Sequence, residues 1–396
     1  MKLRRFFEIL LLVETSCAYG RGIIEGVSAY AVEQGGTWCV YPQNRSLNDG
    51  HPPWLKKWSG DGIITRSNSD SMVNAIRQTG IPFVELLGTK AADVTVDEKC
   101  VGSIAAGHFI ERGLKNFAFF GHGIPWWSRW RYRNFNLALQ EQGFYAHIFK
   151  SKHRSKLILP SWNATAEMEL VEWLRVLPKP IGLFCSTDVE AMIALGACRH
   201  GEISTPEEIA VLGVDNDQMF CNATNPQISS IDLNASLVGY CAAELLHKKM
   251  LGTDAKTSIP ILTQPAFIKT RMSTDMVAVN DEDVAEAIQF IRYHTAEVTV
   301  SDITQHLSVS QSTLYRKFKK SIGRSPEQEI IRTRINLAKQ LLLQTQLSLS
   351  SIAAKTGFAP LPHFVSSFKK ECGITPMMFR KEQKYSQIHI EDEYSE

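Results

Sequence analysis

The chain has no apolar run long enough to cross a membrane: the longest, Phe6–Val13, is broken by Glu8 and falls short of the ~20 residues a spanning helix needs. Lys2, Arg4 and Arg5 before this run, and Cys17 after it, imitate a secretory or lipoprotein leader. Glu8 and Glu14 sit where such a leader carries no charge, and no clean small-residue cleavage site follows, so a buried first strand fits better. Cysteine is sparse and scattered, eight in 396 residues with no C-x-x-C pair and no metal-ligand spacing. That is the pattern of reduced thiols in a cytosolic protein and gives no reason to expect a metal. H-E-x-x-H, G-x-S-x-G and the P-loop are all missing, so the common hydrolase and nucleotide chemistries have no residues to run on, and no cofactor is expected. A hydrophobic fraction of 44% with 21% charged residues excludes a disordered, collagenous or multi-span chain.

Charge is present but unevenly placed. Residues 1–284 carry 28 Lys/Arg against 30 Asp/Glu, residues 285–385 carry 15 against 7, and the last eleven residues add four acids and no base. A basic block of that size suits a polyanion, although a solvated basic face would look the same. Up to about residue 270, short apolar runs alternate with amphipathic stretches. The runs are Phe7–Val13, Trp38–Tyr41, Gly62–Thr65, Phe83–Leu86, Phe117–Phe120, Ile181–Phe184 and Ile209–Gly213. This is the rhythm of repeated βαβ units, and its length suits two doubly wound lobes. The polar stretch Arg271–Asp283 ends the rhythm, and from Val284 the period is helical throughout, with Ser301, Ser310, Ser325 and Ser348 as N-cap candidates and Gly323, Gly357 and Gly373 as helix ends.

Within the basic block two segments, Val300–Phe318 and Leu349–Phe368, share helix–turn–helix spacing, each closing on apolar residues four apart (Leu314 and Phe318; Phe364 and Phe368). The motifs L-x-R-K-F-K-K-x-x-G-x-S-P (314–326), R-x-x-x-A-x-x-L-L (334–342), I-A-x-x-x-G-F (352–358) and F-K-K-x-x-G-x-T-P-x-x-F-R (368–380) resemble the arabinose-regulator (AraC-type) DNA-binding domain. The resemblance implies two units joined by a long helix over 327–343, reading successive major grooves of double-stranded DNA about one turn, ~34 Å, apart. It places Ser310, Gln311, Ser312, Tyr315, Arg316 and Lys319 on the first recognition helix, with Arg316 suited to a bidentate guanine contact and Lys317, Lys319 and Lys320 suited to phosphate. Thr304 and Ser308 stand where Ala and Gly are usual. In the second unit Pro360 and Pro362 leave Leu361, His363 and Ser366 facing outward, either reading a thymine methyl and shape or clamping the backbone through Lys369 and Lys370.

Ahead of this domain, 18–30, 95–120 and 184–216 resemble the periplasmic-binding-protein-like sensor of the lactose-repressor family, without that family's N-terminal headpiece. The whole arrangement resembles the bacterial xylose-operon regulators. It implies a fold of two α/β lobes with parallel sheets (1–275), a linker (276–283), an all-α double helix–turn–helix domain (284–385) and an acidic tail (386–396). The matching positions make Tyr19, Arg21, Arg131, Asp188, Asp215 and Asn216 the sugar-contacting candidates, with Arg129 and Arg133 as substitutes for Arg131 and Trp126, Trp127 and Trp130 as stacking surfaces or lobe-interface core. Asp188 equally suits a cap for the helix that follows. Arg66 stands where the xylose regulators carry an acidic residue, which bears on which sugar is taken. The implied function is a cytoplasmic, sugar-responsive regulator acting as a homodimer, an activator of pentose catabolism working with RNA polymerase; a repressor, or a sensor of another sugar, is the alternative. An enzyme reading rests on Gly20-x-Gly22-x-x-x-Gly26, which opens six residues too late after its strand for a dinucleotide fingerprint.

Overall fold

The computed structural model describes residues 6–67, 69–87, 92–121, 126–150, 164–253, 260–276, 281–345, 347–372 and 374–385. Along the first part run β1 (Phe7–Leu12), α1 (Ala18–Glu33), β2 (Trp38–Pro42), β3 (Gly62–Thr65), α2 (Asp70–Arg77), β4 (Phe83–Glu85) and β5 (Val94–Val96). Then come α3 (Glu98–Ile110), β6 (Asn116–Phe120), α4 (Trp126–Gln140), β7 (Ala146–Ile148), α5 (Ala164–Val176), β8 (Ile181–Cys185), α6 (Asp188–His200) and β9 (Ile209–Val214). The sensor part closes with α7 (Gln218–Ala223), β10 (Ser229–Asp232), α8 (Ala235–Leu251), β11 (Ile261–Thr263) and β12 (Phe267–Lys269).

Two lobes result. The first holds a parallel sheet in the order β2-β1-β3-β4, the second a sheet in the order β12-β10-β9-β8-β6-β7, parallel except where β12 runs against β10. A short parallel pair, β5 with β11, forms a two-stranded sheet of its own. All seven strands expected from apolar runs are present. The strands with no such run, β5, β7, β10, β11 and β12, are three or four residues long and carry polar residues such as Ser229, Ser230 and Lys269. In each sheet the order reverses at one crevice, between β1 and β3 in the first lobe and between β6 and β8 in the second. Residues just past the carboxyl ends of those strands therefore line the places where open α/β sheets take ligands.

The glycines of the supposed fingerprint have another use. A Cβ on Gly22 would lie 2.8 Å from Ala235 Cβ, one on Gly26 1.9 Å from Ser236 O, and one on Gly239 2.0 Å from Ile23 O. They let α1 and α8 cross with their backbones touching, which fixes the direction in which the start of α1 points.

The second part is all helix: α9 (Glu282–Tyr293), α10 (Val300–Leu307), α11 (Gln311–Ile322), α12 (Pro326–Gln344), α13 (Leu349–Lys355), α14 (Leu361–Cys372) and α15 (Pro376–Tyr385). It opens at Glu282, inside the span expected to be linker. It has two small cores. Ile303, Leu314 and Phe318 meet Ile330 of α12 in one, and Ile352, Phe364 and Phe368 meet Ile335, Ala338 and Leu342 of α12 in the other. The long helix is thus a spacer whose two halves belong to different units. Ser310, Ser325 and Ser348 cap helices as expected, but Ser301 does not: Thr299 caps α10 in a capping box with Asp302, which satisfies two amide donors at once. Gly373 and the tail 386–396 lie outside the described residues.

Replacing Gly26 by Ala drives a methyl into a backbone carbonyl that cannot yield without moving α8. The expected cost is ~1–3 kcal/mol of stability in denaturant unfolding, and an unchanged midpoint would show that the two helices separate freely.

Candidate functional site

The two crevices face each other, and charged side chains fill the space between them. Glu14 follows β1 and Arg66 follows β3; they form a buried ion pair, with the Arg66 guanidinium 4.8 Å above the ring of Tyr19. On the opposite lobe Arg131, from α4, grips Glu98 with two bonds (Nε to Oε2, 2.9 Å; Nη2 to Oε1, 3.2 Å) and donates to the carbonyl of Ser186 at 2.5 Å. Its guanidinium lies 4.9 Å from the ring of Trp127. Two neutralised pairs therefore face one another. Asp215, directly after β9, has no such partner among the described residues. Burial pushes its carboxyl up to about 7; Arg131 and Arg66 pull it down, and Glu190 and Glu98 push it back.

Among the described residues, Glu14 Oε2, Arg66 Nε and Ser186 Oγ in this space are buried without a hydrogen-bond partner. Such atoms cost free energy unless something polar meets them, and an acceptor beside a donor is what a hydroxyl group satisfies.

Sequence reading brought Tyr19, Arg131 and Asp215 to this cleft, and the structure gathers all three there. It missed Glu14, Glu98 and Ser186. Their place beside the strand ends at the crevices was the available signal. Arg129 and Arg133 are exposed, and Arg133 stacks on Trp130 at 5.1 Å, so neither substitutes for Arg131. The side chain of Trp126 lies outside the described residues. Asp188 does not cap its helix, whose N-cap is Thr187. Instead its Oδ2 accepts the amide of Asp217 at 2.7 Å, bracing the turn after β9 from behind. Asn216 also works away from the cleft: its Oδ1 accepts from Arg271 Nη2 at 2.8 Å and its Nδ2 donates to Asp232 at 3.1 Å. Arg21 donates to Thr15 O at 2.9 Å and reaches Asp217 at 3.4 Å, at the rim of the cleft.

Arg271 opens R-x-S-T-D, the segment that leads out of the sensor. Ser273 Oγ donates to Val211 O at 2.6 Å, and Thr274 Oγ1 donates to Ser229 Oγ at 2.7 Å, which in turn donates to Arg271 O at 2.9 Å. Burial, and then Arg112, hold His108 far below its usual range and therefore neutral. With Nδ1 accepting from Arg112 at 3.0 Å, its Nε2 donates to Thr274 at 2.9 Å. Asp275 then meets Arg292 of α9 at 3.3 Å, and Arg332 of α12 pairs with Glu111, so the exit segment is tied to both parts of the chain.

On the helical domain, Gln311, Ser312, Arg316, Lys319 and Lys320 are exposed on α11 and Tyr315 is half-buried. Ser310 is occupied as a cap, accepting from Thr313 N at 3.2 Å. Lys317 does not face a phosphate; its ammonium bridges Asp281, at 3.0 Å, and Asp283 at the start of α9. In the second unit Leu361, His363, Ser366, Lys369 and Lys370 are all exposed on α14. Two motif arginines prove to be braces. Arg334 donates to the carbonyls of Thr295, Ala296 and Val298, and Arg380 to those of Leu342 and Leu347. Gly357, at φ +75°, lies where a Cβ would strike Ala296 O at 1.9 Å.

This pairing of a two-lobed cleft with a double helix–turn–helix domain has known counterparts. Three family profiles match in succession: "XylR N-terminal domain" over 8–98, "Periplasmic binding protein-like domain" over 106–274 and "Helix-turn-helix domain" over 303–382. The xylose operon regulatory protein of Haemophilus influenzae is 29% identical over 391 residues, 95% of this chain and 98% of that protein. That of Escherichia coli K12 is 28% identical over 386 residues, 94% and 96% of the two chains. The chain is a homologue of the xylose operon regulatory proteins. A solved xylose-binding transcription activator, xylR, superposes with a TM-score of 0.61 at 27% identity, covering 96% of this chain and 99% of that one. A CelR–cellobiose complex shares the sensor fold alone, at TM-score 0.54 and 20% identity over 68% of this chain. The homologues are transcription regulators, not enzymes, and this chain carries their helix–turn–helix DNA-binding domain.

Two outcomes follow from these residues. The folded Asp215 carboxyl titrates above its unfolded value, so it favours folding below about pH 4, and that contribution is lost as pH rises through about 7. In ligand-free protein the stability margin of Asp215→Asn over the parent should widen by ~2–3 kcal/mol between pH 5 and pH 8; equal margins at both pH values would return the carboxyl to an ordinary range. Ser308, at φ +55° where L-residues are strained, should gain ~1 kcal/mol of stability as Ser308→Gly, which thermal unfolding will show.

Proposed function

We propose that this regulator binds an uncharged pentose of the xylose type in the cleft and, as a homodimer, activates transcription of a sugar-catabolic operon with RNA polymerase. The observation that carries the sugar assignment is the set of buried, unpartnered polar atoms at the facing crevices: Glu14 Oε2, Arg66 Nε and Ser186 Oγ. One hydroxyl donating to Glu14 while accepting from Arg66 satisfies both atoms, and Tyr19 and Trp127 present apolar faces to ring carbons. Because both arginines are already paired with carboxylates, neither has an uncompensated charge to offer a sugar acid or sugar phosphate, and a neutral sugar is preferred. Ligand entry closes the lobes, and the changed lobe geometry alters the placement of the DNA-binding domains. A cytoplasmic location goes with this role; no described helix is long and apolar enough to cross a membrane.

The test is a thermal-shift panel of pentoses, hexoses and their acids. The true effector at ~100 times its Kd should add ~2.7 kcal/mol of stability, and the acids should add none. A panel in which no neutral sugar shifts unfolding would overturn the reading. On DNA, Arg316→Ala should cost ~1–3 kcal/mol and relax preference at one base position. A uniform loss across sequences with a shallower salt slope would make Arg316 a phosphate contact instead.

A further inference from the structure

The turn after β9 makes a connection that neither the fold nor the effector contacts require. Asp217 belongs to the second lobe, where its Oδ1 caps α7 by accepting from Met219 N at 3.1 Å. Its other oxygen, Oδ2, crosses the cleft and accepts the amide of Ala18, the first residue of α1 in the opposite lobe, at 2.9 Å. Helix α1 needs this. Its N-cap is Cys17, whose side chain makes no capping bond although its backbone (φ −122°, ψ 159°) is shaped for one. Serine, threonine, aspartate or asparagine usually satisfies a helix's first amides from within the same segment. Here the carboxylate is borrowed from the other lobe, held 4% exposed by the Asp188 bond to its amide and met by Arg21 at the rim.

We propose that Asp217 is a positioning residue for effector binding: a latch that closes the lobes by capping α1 across the cleft, so that opening the cleft leaves the helix uncapped. It touches no effector itself. The inference rests on the reading that a sugar enters between the lobes, and it adds what holds them shut around it. One carboxylate serves two helices because it has two acceptor oxygens. An asparagine has one, so Asp217→Asn keeps the α7 cap and gives up the bond across the cleft.

Asp217→Asn should therefore weaken binding of the sugar selected by the panel by about 5- to 30-fold in calorimetry, with little change in the α7 region. Adding Cys17→Ser gives α1 a cap of its own; it should recover thermal stability but not sugar affinity. Small-angle scattering of the sugar-free proteins reads closure directly, and Asp217→Asn should be the more open. Unchanged affinity in Asp217→Asn, or affinity restored together with stability by Cys17→Ser, would reduce Asp217 to a local cap. If the parent binds no sugar in the panel, the function fails while the scattering comparison still decides the latch: equal dimensions for parent and variant overturn it.

Discussion

Charge buried between the two lobes is the constraint on which the rest of the structure turns. Glu14 with Arg66 and Glu98 with Arg131 are pairs taken out of water, and such pairs return their desolvation cost only when geometry is good and the remaining donors and acceptors are met. The structure supplies the geometry by rigid means. Strands β1 and β3 set the first pair side by side, and α3 and α4 hold the second. The aromatic rings of Tyr19 and Trp127 cover the two guanidiniums. Among the described residues, Glu14 Oε2, Arg66 Nε and Ser186 Oγ are left unmet at the crevices beside the Asp215 carboxyl, so the cleft carries a cost that a polar ligand relieves.

The segment that leaves the sensor is held with similar care. Arg271, Ser273 and Thr274 place their donors on β9, β10 and the turn bearing Asp215, Asn216 and Asp217, and the neutral His108 closes the network from α3. A shift of that turn is passed by hydrogen bonds to the residues preceding α9. Beyond α9, α12 spans two separate cores, which keeps the two helix–turn–helix units at a set distance while each packs independently. Lys317, spent on Asp281 and Asp283, serves this junction and not DNA.

The DNA-binding half was legible almost residue by residue. Helix periodicity, serine caps and closely spaced motifs are local properties, and the apolar pairs Leu314/Phe318 and Phe364/Phe368 fall inward because residues four apart share a helix face. The departures were local competitions: Thr299 with Asp302 makes a reciprocal cap that Ser301 cannot. The α/β rhythm of the sensor was equally readable, since buried parallel strands announce themselves as apolar runs. The short strands with polar residues were not, because their pairing comes from neighbours distant in sequence, as in β10 against β9 and β12.

The sequence by itself determined the two fold classes, their order, the basic face of the second domain and three residues of the cleft, because each is written in composition or in spacing along a single element. Only the tertiary structure decided the use of the remaining polar residues. Glu14 and Arg66 are 52 positions apart and become a pair because β1 and β3 are neighbours in the sheet. Gly22, Gly26 and Gly239 look like a phosphate loop or like nothing until α8 lies across α1. Asp217 is 199 residues from the amide it caps, and no local pattern marks it, because the bond depends on two lobes meeting.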